Sequence, residues 1–126
     1  MTELMDDRSH GPIEAAKDRS FALLRSALAK KALDPILLRL AGLTAIADYF
    51  LILSGASAKH VQAIADAVLE EGKRTQLERL SVEGVQQGNW ALIDFGDVIV
   101  HVFQPAVREF YDLEGLWSDA PRVAVD

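Results

Sequence analysis

The densest hydrophobic patterning lies between Asn89 and Phe103. There Trp90-Ala91-Leu92-Ile93-Asp94-Phe95 and Val98-Ile99-Val100-His101-Val102-Phe103 flank Gly96-Asp97. A Gly-Asp pair between two β-rich runs predicts a tight hairpin, because glycine accepts a positive φ at the first turn position. In a two-residue loop Phe95 faces Val98, Ile93 faces Val100 and Ala91 faces Val102, all on one apolar side. The other side pairs Asp94 with Ile99, Leu92 with His101 and Trp90 with Phe103. That mixed face suits either a recognition surface or a second sheet face incompletely covered by helices. Pairing alone does not choose between them.

The remaining pattern surrounds this hairpin with helices and strands. Residues 1–12 are polar and turn-rich and are expected as a disordered tail. From Ile13 to about Lys31 the spacing predicts a helix with Ile13, Phe21, Leu24 and Leu28 on one stripe, interrupted by Lys17. Ile36 to Leu40 reads as a strand, and Tyr49 to Leu53 as a strand apolar on both faces. Ser57 is a candidate N-cap for a helix carrying Val61, Ile64, Ala65 and Val68 at three- and four-residue spacing. A short strand is expected at about Gln76 to Leu80, then a loop from Val82 to Gly88. Pro105 opens a last helix, with Val107, Phe110, Tyr111, Leu113 and Leu116 as its apolar contacts and Gly115 loosening its end. Ser118 to Asp126 is expected as a frayed tail. The order α-β-β-α-β-β-β-α predicts one α/β domain over residues 13–117, a mixed sheet of about five strands flanked by helices.

Composition narrows the function more than the fold. Half of the 126 residues are hydrophobic and 25% are charged, which is ordinary for a globular domain. No cysteine is present, which removes disulfides, thiolate zinc sites and cysteine nucleophiles. No apolar run reaches the roughly 20 residues of a membrane helix. Glu3, Asp6 and Asp7 fit neither a secretory signal nor a transit peptide, so a cytoplasmic location is expected. Residues 1–60 carry 8 Lys/Arg against 7 Asp/Glu, whereas residues 61–126 carry 5 against 12. An acidic half that contains the hairpin disfavours phosphate and nucleic-acid binding and suits a basic protein partner.

The candidate chemistry is thin. Ser54-Gly55-Ala56-Ser57, between a strand and a helix, could present N–H groups to an anion, but a turn with an N-cap uses the same residues. A phosphate loop would add glycine and usually a lysine. Nucleotidyltransferases follow such a turn with two acids, one residue apart, on the next strand, and that pair is missing here. Asp94-Phe95-Gly96 matches a kinase tripeptide without the accompanying kinase motifs. His60, His101 and Asp94 lack specific metal-ligand spacing, and Ser57 has no nucleophile elbow around it. Neither an enzyme, a cofactor nor a metal is expected.

Taken together, several ordered segments resemble the ribosomal silencing factor (RsfS/Iojap) family over about residues 15 to 117. They are Ala47-Asp48-Tyr49-Phe50, the Ser54–Ser57 turn with His60 to Asp66, Glu83-Gly84, Trp90 through Phe103, Arg108 to Glu114, and Leu116-Trp117. The resemblance implies a nucleotidyltransferase-like fold without catalytic residues. It implies binding to ribosomal protein fourteen of the large subunit and steric obstruction of subunit joining, lowering translation when nutrients are scarce. Family members are often homodimers when free, and the family's interface tryptophan falls on Trp90. The first strand departs from the family, with Arg39 where an acid is common. The expected partner-binding set is therefore Trp90, Leu92, Asp94, Asp97, Ile99, His101 and Phe103, with Glu83 in the preceding loop. The alternatives are a nucleotide-binding enzyme using Ser54–Ser57 and an acidic adaptor for another basic protein.

Overall fold

The computed structural model describes residues 11–125. Its elements are α1 (Pro12–Leu28), β1 (Leu33–Arg39), β2 (Tyr49–Ser54), α2 (Ala58–Arg74), β3 (Ser81–Glu83), β4 (Trp90–Asp94), β5 (Val98–Phe103), α3 (Pro105–Tyr111), α4 (Leu113–Leu116) and β6 (Arg122–Val123). They build one mixed sheet of six strands in the order β3-β4-β5-β2-β1-β6. Among the described residues only the central β2–β5 pair is parallel. Both central strands are buried along their whole length, as their near-continuous apolar sequences require.

Helices α1 and α2 cover one face, and α3 with α4 covers part of the other. On the first face Leu51, Leu53, Ile93, Val100 and Val102 meet Leu23, Leu24, Ile64 and Val68. Fully burying such a side chain contributes about 1.5–3 kcal/mol relative to exposure. The buried stripe of α1 is Ala16, Ser20, Leu23, Leu24 and Ala27; of the expected stripe Leu24 is buried and Phe21 packs against the core, whereas Ile13 and Leu28 are exposed. The small side chains of Ala16 and Ala27 lie in the core that α1 shares with the sheet and α2, and the buried Ser20 hydroxyl donates to the Ala16 carbonyl of its own helix at 2.8 Å. At the start of α2, Ser57 accepts a bond from the His60 N–H at 3.1 Å, confirming the cap.

The hairpin register is the expected one. Trp90 opposes Phe103, Leu92 opposes His101 and Asp94 opposes Ile99, with Gly96 at φ 92° in the turn. Other segments differ. Pairing starts at Ser81 rather than Gln76, because Gln76 takes a left-handed conformation and the Leu77 N–H still bonds the Gly72 carbonyl at 2.8 Å, prolonging the end of α2. The last helix breaks at Asp112 (φ 47°), whose carboxylate caps α4 by accepting from the Gly115 N–H at 3.1 Å. Gly115 is therefore not a loose end. A Cβ there would collide with the Asp112 carboxylate.

Residues 118–125 of the expected tail are not frayed, and Asp126 lies outside the described residues. Ala120 is buried, the Arg39 N–H bonds the Pro121 carbonyl at 2.9 Å, and Arg122 and Val123 pair with Leu38 and Leu37 to form the sixth strand. At the other end Pro12 already opens α1, and the rest of the expected tail, Met1 to His10, lies outside the described residues.

Candidate recognition surface

The second sheet face carries a gradient of exposure fixed by where α3 and α4 land. One cross-strand row runs Glu83, Leu92, His101, Ile52. Glu83 is exposed, Leu92 half-buried, His101 4% exposed and Ile52 fully buried. A second row, Ser81, Asp94, Ile99, Phe50, follows the same trend. Val107, Leu113 and Trp117 pack over the β5–β2–β1 side, and the β3–β4 side faces outward. The mixed face is thus covered on its β5–β2–β1 half and open to solvent on its β3–β4 half.

Burial corrects the expected partner-binding set. Ile99, His101 and Phe103 lie in the second core and cannot touch a partner in this conformation. Asp97 pairs its carboxylate with Arg19 of α1, the helix on the opposite face. Trp90 and Leu92 remain half-exposed, Glu83 exposed, and Asp94 half-exposed with one carboxylate oxygen accepting the Gly96 N–H at 2.7 Å.

Around Trp90 the structure adds residues that the periodicity assigned to the core. The Trp90 ring lies 4.7 Å from Phe103 and 4.8 Å from Tyr111, centroid to centroid. Tyr111 is 52% exposed, Phe110 81% and Leu116 73%. Phe110 and Tyr111 lie in the last turn of α3, just before the left-handed break at Asp112, and no local signal in the sequence marked them as exposed. Exposed Glu109 and Asp112 lie on the same segment, so the aromatic patch carries an acidic border.

His101 is the most perturbed titratable group of this face. Its Nδ1 accepts the Trp90 indole N–H at 3.1 Å, and burial pushes its pKa down to about 4. Three ring neighbours enclose it: Phe50 edge-on at 4.7 Å, Trp90 at 5.9 Å and Phe103 stacked at 6.0 Å.

Several donors and acceptors of the Ser54–Ser57 turn are spent within the protein. The Gly55 N–H bonds the Phe103 carbonyl at 2.9 Å and the Ala56 N–H bonds His60 Nδ1 at 2.8 Å. The Ser54 hydroxyl accepts from buried Arg108 at 2.8 Å, and Arg108 also reaches Glu114 at 3.3 Å. An anion seated there would have to displace these partners. His60 bonds the Lys30 carbonyl at 2.8 Å through Nε2, on the α1–α2 side, while His101 faces the other layer. The two imidazoles are therefore not brought together with Asp94.

Comparison with known proteins is consistent with this architecture. The family described as "Ribosomal silencing factor during starvation" matches residues 13–126. The chain belongs to the ribosomal silencing factor family. A ribosomal silencing factor of Halalkalibacterium halodurans is 45% identical over 97 residues, covering 77% of this chain and 83% of that protein. The Bacillus subtilis silencing factor is 42% identical over the same length, covering 77% and 82%. A crystal structure of a Chromobacterium violaceum protein superposes with a TM-score of 0.79 at 34% identity, covering 81% of this chain and 85% of that one. The family match extends past the expected boundary at Trp117 and includes β6. Among the described residues, no helix of this silencing-factor chain is long and apolar enough to cross a membrane.

Proposed function

We propose that this protein docks on the large ribosomal subunit through ribosomal protein fourteen and, seated there, sterically blocks joining of the small subunit. Translation then falls under nutrient limitation. The observation that carries the reading is the exposed pair Phe110 and Tyr111, ring centroids 5.1 Å apart, continuous with the half-buried Trp90. An aromatic patch of this kind, with a polar border, has the make-up of a protein-binding centre. Its acids, Glu83, Asp94, Glu109 and Asp112, fit a basic partner. Trp90 and Leu92 supply the sheet side of the contact, and Phe110, Tyr111 and Leu116 the helix side.

A second copy of the chain covers the same patch when the protein is free, since one self-complementary surface suffices for a closed pair. The ribosome-bound form is then the monomer, working in the cytoplasm. Co-sedimentation with isolated large subunits, followed by a light-scattering assay of subunit joining, tests the reading. The wild-type chain should pellet with large subunits and suppress joining in proportion to occupancy. Binding that leaves joining untouched would refute the steric step, and failure to pellet would refute the docking itself.

A further inference from the structure

We infer that His101 is a positioning residue that fixes the orientation of the Trp90 indole on the docking surface. The inference rests on the proposed reading that Trp90 belongs to that surface, and it assigns a role to a side chain that no partner can reach.

An indole has one hydrogen-bond donor, and in Trp90 it is spent on His101 Nδ1 at 3.1 Å. Nδ1 must therefore be the unprotonated nitrogen, and the imidazole proton sits on Nε2. That nitrogen is buried with no hydrogen-bond partner among the described residues. A buried donor left unpaired destabilises the fold. Between Phe50 and Phe103 a phenylalanine or leucine would satisfy packing without that penalty. What such a residue lacks is an acceptor facing the indole.

Ring contacts with Phe103 and Tyr111 restrain the plane of the indole but barely distinguish its two flipped orientations. A hydrogen bond to a single fixed acceptor does distinguish them. With its N–H turned into the protein, Trp90 offers a partner only its ring, so the contact it makes is apolar. Freed from His101, the half-exposed indole could instead turn its N–H to water and present a different edge.

The test compares His101→Phe and His101→Asn with Trp90→Ala. Asparagine can place a carbonyl oxygen near the position of Nδ1. His101→Phe should fold with equal or higher thermal stability, yet bind large subunits about five- to tenfold more weakly. Its Trp90 indole N–H resonance, assigned by its loss in Trp90→Phe, should shift and exchange faster with solvent. His101→Asn should be less stable than His101→Phe but recover affinity and the indole signal toward wild type. A merely structural histidine would make stability and affinity fall together. Wild-type affinity and an unmoved indole resonance in His101→Phe would overturn the inference while leaving the docking reading intact. Wild-type affinity in Trp90→Ala would overturn the docking reading, and the indole resonance would still report whether His101 orients the ring.

Discussion

Acidification should weaken this fold through one side chain. Burial lowers the His101 pKa from 6.5 to about 4. The unfolded chain therefore takes up the proton first as pH falls, and stability rises with pH wherever the unfolded state holds more protons. The His101 contribution is complete above pH 6.5, is lost progressively between 6.5 and about 4, and levels off below. The full shift corresponds to about 3 kcal/mol, and roughly 2 kcal/mol should already be gone at pH 5. Against a typical domain stability of about 5–15 kcal/mol this is a large fraction. Urea titrations at pH 7.5 and 5, followed by tryptophan fluorescence, should show the midpoint fall by about 1 M in excess of any change in His101→Phe. Taking the difference between the two proteins removes titrations they share, among them Glu71, whose carboxyl is held low by Arg74. Parallel midpoints for wild type and His101→Phe across this window would refute the argument.

Three further outcomes follow from the same geometry. Phe110→Ser should leave thermal stability within about 0.5 kcal/mol, since the ring is largely exposed, yet weaken large-subunit binding about tenfold by calorimetry; an equal loss of both would return Phe110 to the core. Association measured by stopped flow should slow as salt rises, and Glu83→Gln with Asp94→Asn should flatten that dependence, whereas a rate indifferent to salt excludes electrostatic steering. Gly84→Ala should cost about 2 kcal/mol or more in urea unfolding, because Gly84 sits at φ 79° and a Cβ would strike the Trp90 carbonyl oxygen; a silent substitution would mean that the entry to β4 is plastic.

The strands and register of the central hairpin were legible because alternation and a Gly-Asp turn act over neighbouring residues. The buried parallel pair was legible for its unbroken apolar runs. Which half of the mixed face would be covered was not, since that depends on where α3 and α4 land on either side of the break at Asp112. Ile99, His101 and Phe103 entered the expected interface for that reason. β6 escaped notice because Arg122 and Val123 pair with a strand more than eighty positions earlier, and two residues carry no period. The Arg19–Asp97 pair likewise joins segments with no local link.

The parallel join between β2 and β5 also has a consequence for how the molecule comes into being. A growing chain that has emerged only through Arg74 contains α1, β1, β2 and α2 but neither strand of the hairpin. Its β2 then has no partner along one edge, and the first core lacks Val98, Val100 and Val102. Nothing in that half-made chain can present Trp90. Completion of the sheet waits for residues 98–103, and closure of its β1 edge for residues 122–123. The sheet that carries Trp90 is thereby completed only after nearly all of the chain described here has left the exit tunnel.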